Sequence, residues 1–224
     1  MIEKSLSYKY KVYEKIKEEI ITGVYTQGEV LNERKLSETM GVSRTPIREA
    51  LQMLSTDGWV VNEPYKGTVV RTFDINYVMN AQKVRRVLEI LVIEDAVSKI
   101  SDKNIQELNR ILEKQEHWLE NYNPKEFMKL DRQFHEKLYY LSKNEILQDL
   151  LKNLNDIIRF YGIKVLMVPE RNKETLNEHK AILDAIKKRD IEKAKISMDY
   201  HLLKTGEAIY KYTFEENGPL ESIH

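Results

Sequence analysis

The chain is predicted to be mainly α: an N-terminal winged helix-turn-helix followed by an antiparallel bundle of about six helices. Three observations predict this. Glycine and proline crowd into the first third, as Gly23, Gly28, Gly41, Gly58 and Gly67 with Pro46 and Pro64, and are sparse from Thr68 to Asn217. Apolar residues in that third recur at helical spacing and then give way to two β-branched runs. Beyond them the spacing is helical throughout, punctuated by Pro124, Pro169 and polar caps. The composition shift puts the boundary near Arg71 to Asn76, giving a first domain of residues 1–72 and a second of 73–224.

Each element has a local reason. Tyr8 to Ile21 carries Val12, Ile16, Ile20 and Ile21 at helical spacing. Asn32 caps a short helix reaching about Met40, with Leu36 and Met40 inward, and Gly41 permits the turn after it. Ser43 or Thr45 caps a third helix, where Pro46 sits near the start and misses no backbone donor. Ile47, Leu51 and Leu54 form its buried stripe, and Asp57-Gly58 ends it. Trp59 to Asn62 and Thr68 to Thr72 are strands joined through Glu63-Pro64-Tyr65-Lys66-Gly67. The bundle helices are predicted over Asp74 to Ile100, Asp102 to Tyr122, Asn123-Pro124 to about Leu141, Asn144 to about Ile163, roughly Asn172 to Lys188, and Ile191 to Tyr212.

Composition narrows the chemistry. Of 224 residues, 42% are hydrophobic, enough to bury a core without staples. Cysteine is absent, which excludes disulfides, thiolate metal sites and cysteine nucleophiles. No apolar run follows the mixed charges of Met1 to Lys4, and the longest aliphatic stretch, Ile90 to Ile93, is far too short to span a bilayer. A cytoplasmic protein with no membrane partner is the expectation. The 36 basic and 36 acidic side chains cancel, so bulk charge says nothing about nucleic acid. Position must decide.

On the third helix, Arg44 and Arg48 are four apart, on the face opposite Ile47, Leu51 and Leu54. Forked arginine donors near the start of a second helix suit guanine edges or phosphates in a major groove. Arg34, at the start of the preceding helix, can reach the DNA backbone beside them. Lys66 and Gly67, at the hairpin tip, suit the minor groove. Alone, such a pair of arginines is an ordinary solvated face; the turn, cap, proline and hairpin around it favour DNA.

The runs Gly23-Val24-Tyr25, Glu33-Arg34-Lys35-Leu36-Ser37-Glu38, Gly41 to Leu51 and Asp57-Gly58-Trp59-Val60 resemble the GntR family of bacterial winged-helix regulators. By that resemblance Arg34, Arg44, Thr45 and Arg48 match the family's groove contacts, and Gly67 matches its wing-tip glycine.

Three of five histidines lie on apolar helix faces: His135, four residues after Asp131; His179, between Leu176 and Leu183; and His201, three after Met198. His117 and His224 have no comparable setting. A single buried histidine is usually a core residue whose nitrogens find partners. Three, with an aspartate one turn from one of them, point instead to a metal. Neutral imidazoles with one carboxylate suit Zn, Ni, Mn or Fe rather than Ca or Mg.

The runs Val84-Arg85-Arg86-Val87-Leu88-Glu89, Asp131 to His135, Ser142-Lys143-Asn144 and Glu178 to Ile182 resemble the helical ligand-binding (FCD) domain of the FadR-like subgroup, and six helices rather than seven resemble its VanR-like branch. Metal-binding members use one Asp and three His, which match Asp131, His135, His179 and His201. The resemblance implies a small organic carboxylate on the metal, held with help from Arg85, and Asn144 of the matching Ser142-Lys143-Asn144 run is a further candidate effector-binding residue. Arg159 is either a second anion partner or a surface arginine.

The reading that follows is a homodimeric, metabolite-responsive repressor on a palindromic operator in double-stranded DNA. Two others compete. A metal-dependent hydrolase needs a general base, and no further carboxylate is clearly placed as one. A constitutive DNA-binding protein with a purely dimerising bundle has little use for three inward imidazoles.

Overall fold

The structure, a computed structural model, describes residues 8–166 and 168–215, and His224 lies outside them. The chain divides into two compact units, Met1–Asp74 and Ile75–His224.

The first unit holds α1 (Tyr8–Ile21), α2 (Glu33–Met40), α3 (Arg44–Thr56), β1 (Val60–Glu63) and β2 (Gly67–Val70). Asn32 caps α2 as expected, its Oδ1 accepting from the N–H groups of Arg34 and Lys35 at 2.9 and 3.1 Å. Gly41 ends α2 in the left-handed region at φ 65°, where a Cβ is disfavoured, and its N–H returns to the Ser37 carbonyl. Ser43 occupies the N-cap position of α3, but its side chain makes no capping hydrogen bond. Ile47 and Leu54 are fully buried and α3 packs on α1 and α2, closing a core floored by Trp59. The strands pair antiparallel, with Val60 opposite Val70 and Glu63 opposite Gly67. The hairpin has a third, very short member: Val30 bridges Val69, and Leu31 N–H donates to the Thr68 carbonyl at 2.8 Å. A single paired residue leaves no alternating pattern, so nothing in the spacing announces it.

The second unit is helical: α4 (Ile75–Lys99), α5 (Asp102–Glu120), α6 (Pro124–Ser142), α7 (Glu145–Leu166), α8 (Pro169–Lys187) and α9 (Ile191–Tyr210), the last running into a π-helical turn at Lys211–Glu215. Caps set the starts. Ser101 and Asn104 form a reciprocal capping box at α5, Asn123 precedes Pro124 at α6, and Asp190 accepts from Lys193 N–H at α9. α8 begins at Pro169, three residues before the expected Asn172, because proline in the first turn gives up no hydrogen bond.

Packing arranges the helices in a ring, α4 on α9, α9 on α8, α8 on α5, α5 on α6 and α6 on α4, with α7 against α4 and α6. The core includes Val92, Phe127, Phe134, Leu138, Leu151, Ile182 and Leu202. At Gly206 an added Cβ would lie 3.1 Å from Gln82 Cγ, and Gln82 Nε2 donates to the Leu202 carbonyl at 2.6 Å, so α4 and α9 approach closely there. Polar groups nevertheless face into this ring: Arg85 and Glu89 from α4, Gln115 from α5, His135 from α6, His179 from α8 and His201 from α9 are all buried. Among the described residues, no helix is long and apolar enough to cross a membrane.

Candidate metal centre and DNA-facing surface

The ring brings Asp131, His135, His179 and His201 together, one donor atom from each lying within 4.8 Å of the others. Asp131 and His135 share a face of α6 because they are one turn apart. The α8 and α9 histidines arrive from the two helices that complete that side of the ring.

Each imidazole is gripped at its Nδ1. His135 Nδ1 lies 2.7 Å from Glu89 Oε2, and His201 Nδ1 lies 2.7 Å from Glu178 Oε2. His179 Nδ1 lies 3.1 Å from Gln115 Oε1, its ring stacked on Phe134 with centroids 4.5 Å apart. Carboxylate and amide oxygens only accept, so each Nδ1 carries the proton and each Nε2 presents a lone pair. Those lone pairs converge. The Nε2 atoms of His135 and His201 are 3.2 Å apart, and His179 Nε2 is buried without a hydrogen-bond partner among the described residues, 3.5 Å from Asp131 Oδ1. Two facing lone pairs and an orphaned buried nitrogen are costly unless a cation sits between them. The donor set therefore fits a divalent transition metal.

Electrostatics agrees. Burial, reinforced by the neighbouring His201 and His135, holds the His179 pKa well below its ordinary value. Burial also lowers that of His201, although the Glu178 hydrogen bond pulls the other way. Neutral imidazoles are what a metal requires. Burial alone would raise the Glu89 pKa, but Arg85, His135 and the Tyr139 hydroxyl beside it hold this carboxyl well below the usual range. Arg85 Nε and Tyr139 Oη donate to Glu89 Oε1 at 2.6 Å each, and Asn155 donates to Tyr139 Oη at 2.9 Å. Glu178 is likewise lowered, burial being outweighed by hydrogen bonds from His201 and Arg171. Arg171 spans it with two nitrogens, at 2.6 and 2.9 Å.

A cavity of about 100 Å³ opens on these groups. Asp131, His135, His201, Arg85, Arg159 and Arg171 line its polar side, and Phe127, Ile158, Val165 and Ile209 its apolar side. Arg85 and Arg159 thus both reach it, Arg159 lying 3.9 Å from Asp156. Asn144 is not among the lining residues: it precedes α7, its Oδ1 accepting from Leu147 N–H at 3.2 Å, so its local role is that of a cap. The residues that orient the histidines, Glu89, Gln115 and Glu178, do not emerge from sequence spacing. The one available signal is that Glu89 follows Arg85 by a turn on a buried face.

In the first unit Arg34, Arg44, Thr45 and Arg48 are all exposed. Arg34 Nε donates to Glu38 at 2.9 Å, while Arg48 grips Glu33 with Nε and Nη2 at 3.2 and 3.0 Å. Tyr65, Lys66 and Gly67 form the hairpin tip, with φ of 66° at Tyr65 and 89° at Gly67, and Lys66 pairs with Glu63 at 2.7 Å.

The family model of bacterial regulatory proteins of the gntR family matches residues 9–70, and that of the FCD domain matches residues 81–204. The chain is 32% identical over 195 residues to YdhC, an HTH-type transcriptional regulator of Bacillus subtilis, covering 87% of each protein. It is 27% identical over 202 residues to the HTH-type transcriptional repressor RspR of Escherichia coli, covering 89% of this chain and 87% of that one. Among solved structures, McbR/YncC of E. coli superposes with a TM-score of 0.82 at 22% identity, over 92% of this chain and 99% of that one, which shows a shared fold. The chain belongs to the GntR family of bacterial transcriptional regulators, its winged helix-turn-helix joined to an FCD domain.

Proposed function

We propose that the protein is a metal-dependent repressor that releases or engages its operator in response to a small organic carboxylate. The observation that carries this is the convergence of three Nε2 lone pairs and one carboxylate, with every Nδ1 already committed. Asp131, His135, His179 and His201 hold a divalent ion, of which Zn, Ni, Mn and Fe suit the donor set. When bound, the ion supplies a positive anchor for an anion. The chain supplies the rest: Arg85 at the cavity wall orients a carboxylate, the apolar lining takes its carbon skeleton, and Arg159, also lining the cavity, is a second anion partner. A cavity of about 100 Å³ favours a short acid over a long chain.

On the DNA side, Arg44, Thr45 and Arg48 enter the major groove, Arg34 holds a phosphate, and Lys66 with Gly67 follows the minor groove. One such helix reads only a few base pairs, so a homodimer on a palindromic operator supplies the needed affinity and specificity. Acting on DNA, it works in the cytoplasm. The effector moves the DNA equilibrium only through different affinities for two arrangements of the dimer, and about 1.4 kcal/mol of such coupling changes DNA affinity tenfold. The relatives are named as regulators of transcription, not hydrolases.

The test is elemental analysis and native mass spectrometry of the purified full-length protein. One divalent ion per chain, a dimer mass and a co-purified acid are the expected result. Metal-free protein that takes up no ion when titrated with Zn(II), Ni(II) or Mn(II) overturns the reading.

A further inference from the structure

The three residues that hold the imidazoles are not equivalent. Glu89 and Glu178 are anionic, and each has its own buried arginine: Arg85 Nε at 2.6 Å from Glu89, and Arg171 at 2.6 and 2.9 Å from Glu178. Gln115 is neutral, and its Nε2 is buried with no hydrogen-bond partner among the described residues. Resting on the metal-centre reading above, we propose that Gln115 is a specificity-determining position whose neutrality leaves the loaded site with one net positive charge, matching it to a single carboxylate.

The charges are few enough to follow. Glu89 cancels Arg85 and Glu178 cancels Arg171, while the other two arginines lining the cavity face carboxylates of their own, Arg159 at 3.9 Å from Asp156 and Arg132 at 2.6 Å from Glu136. Asp131 then opposes a divalent ion alone, and one monoanion restores neutrality. A glutamate at 115 would fill the third position as the other two are filled, strengthening His179 as a donor because a carboxylate on Nδ1 raises imidazole basicity. It would also cancel the charge that draws the effector. Two glutamates and one glutamine thus trade some metal affinity for anion affinity. Among the described residues the amide Nε2 has no partner, so the amide is not kept there for a second hydrogen bond.

The experiment uses the full-length protein, Zn(II) affinity by chelator competition, and acetate binding to the Zn(II)-loaded protein by calorimetry. Gln115→Glu is expected to bind Zn(II) more tightly and acetate about ten- to a hundredfold more weakly, the scale of one unit charge acting across roughly 6–12 Å inside a protein. Glu178→Gln is expected to lose ten- to a hundredfold in Zn(II) affinity, yet bind acetate more tightly once loaded, because Arg171 then keeps only the exposed Glu174, at 3.4 Å, as a carboxylate partner. Gln115→Met removes the hydrogen bond and keeps the charge, so Zn(II) binding weakens while acetate binding holds. Opposite movement of the two affinities in Glu178→Gln, with acetate affinity unchanged in Gln115→Met, supports the proposal even if Gln115→Glu fails to fold. Parallel loss of both affinities in Glu178→Gln, or acetate weakened by Gln115→Met as by Gln115→Glu, makes these residues merely structural and overturns it. Wild-type protein that takes up no Zn(II) removes the metal-centre reading itself, and this inference with it.

Discussion

Arg48 and Arg171 make the same bond in opposite surroundings. Arg48 holds Glu33 with two nitrogens at 3.2 and 3.0 Å, its side chain 70% exposed. Arg171 holds Glu178 at 2.6 and 2.9 Å, its side chain 6% exposed. Water screens the first pair, which therefore contributes little and is readily surrendered to a phosphate or base. The second pair is fixed, and removing one partner strands a buried charge. On the exposed face the cation is on loan; in the buried centre Arg85 and Arg171 are matched by carboxylates before any ligand arrives. Buried ion pairs seldom add net stability over well-packed apolar residues, so their presence in a bundle core points to a task other than holding the bundle together.

The largest expected effect lies at the buried centre. In the double variant His179→Ala/His201→Ala, two of four donors are gone, and bound metal is expected to fall from one per chain to under about a tenth, with any response to the effector lost. The winged helix-turn-helix should stay folded, since the substitutions lie in the other unit. Elemental analysis with far-UV circular dichroism checks both statements. Full metal content would show that these imidazoles serve the core alone. Chelation of the wild-type protein is the milder form of the same test, and a chelated protein that still responds normally would separate effector from metal.

Next in size are the arginines proposed to read the operator. Arg44→Ala and Arg48→Ala should each weaken operator binding about five- to 150-fold if the contact is bidentate to guanine, and should relax sequence choice there. A salt-controlled titration distinguishes this from a phosphate contact, whose loss weakens all sequences alike and lowers the salt slope. Unchanged binding in both variants would remove α3 from the groove.

The two regions also differ in how far they are legible in sequence. The helix-turn-helix is written locally. Asn32, Gly41, Pro46 and the Ile47, Leu51, Leu54 stripe fix α2, the turn and α3, and whatever is opposite that stripe must face out. The four candidate ligands are legible too, as three imidazoles on apolar faces and an aspartate one turn before the first of them. Their supports are not, because which helices become neighbours is a tertiary fact. Glu89 meets His135 across 46 residues and Gln115 meets His179 across 64. Glu178 adjoins His179 in sequence but serves His201, 23 residues on, because successive residues of a helix point to different faces. Asn144 shows the converse: a motif-based reading places it beside the effector, whereas its own geometry is that of a cap. Val30 escapes for want of any periodicity.

A smaller effect tests the locally written part. Gly41 ends α2 at φ 65°, with nothing within 4 Å of where a Cβ would sit, so only backbone strain opposes a side chain. Gly41→Ala should cost the first unit about 1 kcal/mol, the left-handed penalty of a non-glycine residue. Buried Trp59 reports on that unit in urea unfolding, with Trp118→Phe removing the signal of the other. A neutral or stabilising result would mean that the turn tolerates a different φ.

The smallest effect concerns the loan itself. If the Arg48–Glu33 pair is only a resting arrangement, Glu33→Gln frees the guanidinium and removes one negative charge near the DNA-facing surface. Both changes favour DNA, but the pair is exposed, so the gain in operator affinity should stay below about fivefold, and it should shrink as salt is raised. Stability should not change measurably. The alternative is that Glu33 preorganises Arg48 for one base; Glu33→Gln would then weaken operator binding and reduce discrimination between matched and mismatched sites, while nonspecific binding stayed level or rose. Titrating both DNA classes with wild type and variant at two salt concentrations separates these outcomes. A loss of specific binding alone would mean that the exposed pair, like its buried counterpart, is part of the site, and that the contrast between the two regions is one of burial and not of purpose.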